Sequence, residues 1–238
     1  GFYDVLFSKT NKDQQVKPED QRRFKVSQEY GSYVMENVLF KISFPAEFHS
    51  QTACEAAVRL HPQVKDRLGE IDKIVITTHE SAIRIISKVG ELANPADRDH
   101  CLQYMTAVPL AFGNLIAEHY EDSFHANNPI IDELRAKMVI EEDERYSREY
   151  LEADKRSIAN AIQVFFTDGS KTERIAIDYP VGHRRRREEG IPLLEAKFKA
   201  NLATRFPAAR SERIFALCKD QARLESTAVD AFMDLFVI

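Results

Sequence analysis

Lys41 and His49 stand eight positions apart in KISFPAEFHSQTACEAA (residues 41–57), around a proline and just ahead of an amphipathic run. A lysine ammonium pairs with a negative oxygen and a histidine titrates near neutral pH, so the two types suit chemistry on carboxylate substrates. The same spacing also fits a strand handing over to a helix, with Lys41 pointing outward and His49 near the helix start. His79 closes the run IDKIVITTH, and strand ends with their following loops present reactive groups from a rigid platform; a solvent-facing terminal histidine is the plainer alternative. Arg98 and His100 lie in NPADRDHCLQY at a helix start, which favours an anion, or they form an ordinary N-terminal charge cluster. GHRRRR (182–187) sets one His beside four consecutive Arg, whose guanidinium forks match carboxylates and phosphates. Arg184 and Arg185 are the candidates there, against a solvated run balanced by Glu188 and Glu189. His61, before a proline in RLHPQ, reads as a surface cap at a helix end.

Several function classes are excluded or disfavoured. No P-loop, Rossmann glycine fingerprint, GxSxG or HExxH occurs. The net charge of -5, with signs interspersed, gives no general reason to bind nucleic acid. Cys54, Cys101 and Cys218 lie far apart without a CxxC pair, so no metal site, no iron-sulfur cluster and no cofactor is expected, and a reducing cytoplasm fits. No apolar run reaches the roughly 20 residues needed to span a bilayer, and the start lacks a signal pattern. The first residue is not Met, which reads as a piece of a longer chain.

The elements that must position these groups follow from periodicity. SKTNKDQQVKPEDQRR (8–23) has almost no apolar residues and reads as an exposed loop. NVLFKISF (37–44) reads as a strand ended by Pro45, and SQTACEAAVRL (50–60) follows helical spacing. IDKIVITTH (71–79) is a β-branched strand, followed by a short helix through ESAIRIISK. Residues 97–120 read as one long apolar helix with Asp97 as N-cap and Pro109 as a kink or boundary. A helix opens at 127–138, and 141–156 reads as a charged surface stretch. IANAIQVFF and TERIAIDYP flank TDGSK as a hairpin, and three helices follow Gly182, over 190–206, 209–224 and 226–236.

YGSYVMENVLFKISFPAEFHSQTACEAA (30–57), NPADRDHCLQYM (94–105), DYPVGHRRRREEGIP (178–192) and AFMDLFVI (231–238) together closely resemble the MmgE/PrpD family. That resemblance implies loss of water from 2-methylcitrate to give 2-methyl-cis-aconitate in propionate breakdown, without an iron-sulfur cluster. It implies an α+β fold: a 1–37 connecting segment, a lid domain over 38–188, and 189–238 as helices returning to an all-helical domain. The partners it implies are a tricarboxylate substrate and an N-terminal helical half beyond this chain, with a homodimer left open. Lys41 matches the family's lysine ahead of the FPA segment, whereas Glu47 stands where a relative has histidine and His49 lies two places on. The implied roles are carboxylate binding for Lys41 and an Arg of 184–187, proton transfer for His49 or His79, and Arg98 and His100 in reserve. The rival readings are a decarboxylase or epimerase of the same family, and a noncatalytic lid or dimerisation fragment.

Overall fold

In the computed structural model, which describes residues 38–238, SQTACEAAVRL folds into helix α1, Gln51–Val64. Ala53, Ala56, Ala57, Leu60 and Val64 recur at helical spacing and are wholly buried. Strand β1, Ile71–Thr78, follows after a short turn, and His79 stands between it and helix α2, Glu80–Ile86. Helices α3 (Pro95–Asp99), α4 (Leu102–Phe112), α5 (Asp122–Asn127) and α6 (Ile130–Ala136) then lead to strand β2, Met138–Glu142. Helix α7 (Glu144–Leu151) and the hairpin β3 (Asn160–Phe166) and β4 (Ile175–Ile177) complete the α+β part. The sheet order is β2-β1-β3-β4, with β2 parallel to β1 and the other pairs antiparallel. α1 packs on β3, β4 and α4, and α4 packs on α6. The main apolar core runs from Ala46 to Ile177.

The C-terminal helices are α8 (Arg187–Ala203), α9 (Ala208–Lys219), α10 (Gln221–Ser226) and α11 (Val229–Asp234). They gather a second core of Leu202, Ile214 and Phe215, edged by Phe198, Phe206 and Phe236. α8 begins at Arg187 and so runs across the boundary expected at 188/189. The loop expected over 8–23, the connecting segment 1–37 and Asn37 lie outside the described residues.

Four sequence expectations are corrected. Residues 38–44 are not a strand: Val38 O accepts from Arg187, and Lys41 O and Ile42 O accept from Lys197, so side chains of α8 take up carbonyls that a ladder would have used. Residues 97–120 are not one helix. Asn94, rather than Asp97, caps α3 by accepting from Asp97 N at 3.0 Å, the chain breaks at His100 and Cys101, and α4 passes through Pro109 to stop at Gly113. The charged stretch 141–156 holds the end of β2 and all of α7; β2 is a short edge strand whose parallel partner lies some sixty residues away, a pairing no local pattern reveals. Finally, 209–224 is split at Asp220, whose side chain accepts from Arg223 N at 3.1 Å and starts α10. The hairpin is as expected, with Asn160 opposite Ile177 and Gly169 at φ +83 in its turn.

Gly182 carries a tighter constraint. It has φ +101, and a Cβ there would fall inside the van der Waals contact distance of the Phe40 carbonyl oxygen. Gly169 has a similar φ with open space around it. Gly169→Ala is therefore expected to cost about 1 kcal/mol from backbone strain alone, and Gly182→Ala about 3 kcal/mol or more. Urea unfolding of the two variants side by side checks the difference; equal midpoints would refute the close approach.

Candidate active site

Two of the sequence candidates meet. His49 sits in a single 3-10 turn, Phe48–Ser50, just ahead of α1, and His79 sits where β1 passes into α2. Their ring centroids are 5.1 Å apart. Tyr150, from α7, completes the cluster, at 4.9 Å from the His79 ring and 5.5 Å from the His49 ring. α7 is held over this strand end because Ser147, one turn before Tyr150, accepts from the first N–H of α2 at 2.8 Å and donates to Glu142 at 2.6 Å.

A hydrogen-bonded chain runs through the cluster. Glu47 accepts from the backbone N–H of His49 at 2.8 Å and from its Nδ1–H at 2.9 Å, which fixes one tautomer of the neutral ring. Nε2 is then the basic nitrogen and accepts from the Tyr150 hydroxyl at 3.2 Å. Burial raises the pKa of the Glu47 carboxyl, but the His49 hydrogen bonds and charge outweigh it and leave it below the ordinary value. His79 is wholly buried; desolvation, and then the charge of His49, lower its pKa to about 4. Its Nδ1 lies 3.5 Å from Ala159 O, and its Nε2 has no partner among the described residues. The arrangement thus offers an oriented base with a phenol on its basic nitrogen, beside an imidazole that stays neutral.

The other candidates have different surroundings. Lys41 is exposed and lines a groove of about 400 Å³ with Leu194, Phe198, Phe215 and Cys218. Arg98 is 2% exposed: Nε donates to Tyr120 O at 2.9 Å, Asp122 pairs with its guanidinium, and Nη1 faces His125. That accounts for Arg98 as a strut between α3 and α5. His100 is exposed beside Asp99. Arg184 and Arg185 each donate to Asp154 O at 2.8 Å, and Arg185 lies over the Tyr179 ring. His61 is not a surface cap: α1 continues through Pro62, and Nδ1 bonds Leu110 O at 2.8 Å. Sequence reasoning missed Tyr150, inside a stretch read as solvated, and Glu47, noted only as a departure from a family position. Only the Glu-x-His spacing carried a signal for the second.

Among the described residues no three His, Cys, Asp or Glu side chains gather to hold a metal ion, and no helix is long and apolar enough to cross a membrane. Comparison with known proteins decides the family. The MmgE/PrpD C-terminal domain matches residues 44–221. The chain belongs to the MmgE/PrpD family. Its full length is 51% identical to part of the 2-methylcitrate dehydratase of Escherichia coli K12 and 50% identical to part of that of Cupriavidus necator, covering 47% of each. The mitochondrial 2-methylcitrate dehydratase of Yarrowia lipolytica is 49% identical, with 43% of its length covered. The chain thus spans about half the length of these curated relatives. Within this MmgE/PrpD chain the Glu47–His49–Tyr150 and His79 cluster lies inside the matched region.

The depressed pKa of His79 has a consequence for stability. A histidine near 6.5 unfolded and about 4 folded binds its proton more readily in the unfolded state, so its contribution is intact above about 6.5 and lost as pH falls toward 4. His183, lowered to about 4 by burial and then by Arg184, Arg185 and Arg187, acts in the same window and direction. Each such histidine is expected to cost up to about 1.4 kcal/mol per pH unit there. Urea midpoints between pH 7 and 4 check this: His79→Gln should flatten the decline, and an unchanged slope would contradict a neutral buried His79.

Proposed function

We propose that this chain forms part of a hydro-lyase that eliminates water from 2-methylcitrate to give 2-methyl-cis-aconitate in propionate catabolism. The observation that carries the reading is the Glu47–His49–Tyr150 hydrogen-bond chain, in a family whose 2-methylcitrate dehydratases match the chain along its full length. Dehydration of a β-hydroxy tricarboxylate breaks a C–H bond next to a carboxylate and a C–O bond beside it, so it needs a base, an acid and cations for the carboxylates. When substrate binds, the Tyr150 hydroxyl turns from His49 Nε2 toward the leaving group, and Nε2, so freed and with Glu47 stabilising the imidazolium that forms, takes the carbon-bound proton. Tyr150 O–H delivers its proton to the departing hydroxyl, which leaves as water, and the His49 imidazolium returns a proton to the phenolate. His79, neutral at physiological pH, offers a lone pair or an N–H without competing for charge. We assign carboxylate binding to Lys41 and to Arg184 or Arg185, and propose that the part of the relatives beyond this chain supplies the remaining wall. No iron-sulfur cluster is used, and the free thiols support a reducing, cytoplasmic setting.

The test uses a protein of the relatives' full length, offered 2-methylcitrate, citrate and cis-aconitate, with products identified by mass. Release of carbon dioxide or inversion without water loss would replace dehydration by decarboxylation or epimerisation. His49→Ala is expected to lower kcat/KM by about 10²- to 10⁴-fold, with Glu47→Gln losing less and Tyr150→Phe losing kcat at nearly constant KM. Lys41→Ala should cost about tenfold to a hundredfold, the worth of one charge-assisted hydrogen bond. Wild-type rates in folded His49→Ala would remove it from the reaction. Activity is also expected to survive EDTA; loss that only added iron restores would overturn the cluster-free reading.

A further inference from the structure

Asn160, the first residue of β3, is wholly buried. Its side-chain amide donates through Nδ2 to His49 O and to Thr52 Oγ1, both at 2.8 Å. Chemistry fixes the orientation of the amide: a carbonyl only accepts, and Thr52 Oγ1 spends its own proton on Ile158 O at 2.5 Å, so the group facing both must be the NH2. Asn160 Oδ1, by contrast, has no partner among the described residues. A half-satisfied amide at a buried position is costly compared with an apolar side chain. The contact between α1 and the sheet is otherwise built on apolar groups such as Ala53, Ala57, Ile162 and Val164. Apolar packing is non-directional and sets no unique height of one element over another, whereas two hydrogen bonds at one atom do. Thr77 pairs with Ala161 across the β1–β3 ladder, which brings Asn160 level with Thr78, one residue from His79.

We propose that Asn160 is a positioning residue: it holds the His49 turn at a fixed height over the strand end that carries His79, and thereby sets the geometry of the Glu47–His49–Tyr150 chain against the second imidazole. This rests on the reading of that cluster as the reaction centre. In the full-length enzyme, Asn160→Ala removes both bonds, and Asn160→Asp turns an acceptor toward the His49 carbonyl. Ile162→Val, on the same strand, trims the core without touching either bond. The Asn160 variants are expected to lose kcat about tenfold to a hundredfold, the range found when a group supporting a metal-ligating side chain from behind is removed, with KM changed less than about threefold. Ile162→Val keeps kcat at a comparable loss of melting temperature. Thr52→Val, which keeps the side-chain shape and removes one of the two Asn160 bonds together with the Thr52 bond to Ile158 O, gives the same split in smaller measure and stands in where an Asn160 variant does not fold. Wild-type kcat in both Asn160→Ala and Thr52→Val, or a loss that Ile162→Val shares, overturns the proposal. A readout independent of turnover is the nitrogen NMR spectrum of the histidine rings. Asn160→Ala, or Thr52→Val in its place, shifts the His49 and His79 signals while Ile162→Val leaves them. If the wild-type enzyme dehydrates no tricarboxylate, the functional reading falls and these spectra alone decide, with unmoved signals overturning the positioning role.

Discussion

The close seat of α1 on the sheet is the constraint on which the rest depends. Ala53, Ala56 and Ala57 present no side chain beyond Cβ, so the helix comes near β3 and β4 while its other flank meets α4. That approach puts the turn before α1 directly over the carboxyl end of β1. His49 and His79, thirty residues apart in sequence, become ring neighbours through this seating. A bulkier face would lift the turn away and leave two unrelated histidines.

Within that geometry, burial and charge divide the labour between the two imidazoles. Two protonated rings at 5.1 Å would repel strongly, and among the described residues Glu47 is the carboxylate in contact with the pair. Glu47 is hydrogen-bonded to His49, and His79 is left to desolvation, which lowers its pKa. The proposed chemistry needs this asymmetry: one ring that cycles through a charged state beside one that does not.

The arginines show how cationic side chains serve the backbone. Arg98 reaches Tyr120 O, Arg184 and Arg185 share Asp154 O, Arg186 joins Glu55 to Tyr179 O, and Arg187 takes Val38 O. Each of these carbonyls lies outside a strand ladder or at a helix flank, where a buried or half-buried acceptor needs a donor. A planar guanidinium with several donors meets that need without adding an element of structure. Within the Arg run, Arg186 is a clamp between α1 and the start of α8, with Glu189 as its second carboxylate.

The sequence by itself determined what local periodicity encodes. The alanine-rich face of α1, the β-branched run of β1 and the Asp168–Gly169 hairpin are all legible from neighbours within a few positions. His49 and His79 were legible as residue types able to do chemistry, and long matched strings pointed to the family. What only tertiary structure decided is everything set by partners far along the chain. Residues 38–44 look like a strand, yet their carbonyls go to Arg187 and Lys197 some 150 residues on. The end of β2 lies in a stretch that looks like charged surface, yet β1 recruits the strand in parallel. Tyr150 and Asn160 carry no local mark, because a phenol on a charged helix and an amide at a strand start acquire meaning only through what they touch, 101 and 111 residues away. Periodicity reports which face of an element is apolar; it does not report which hydrogen-bonding groups that face will meet, and the site is made of those meetings.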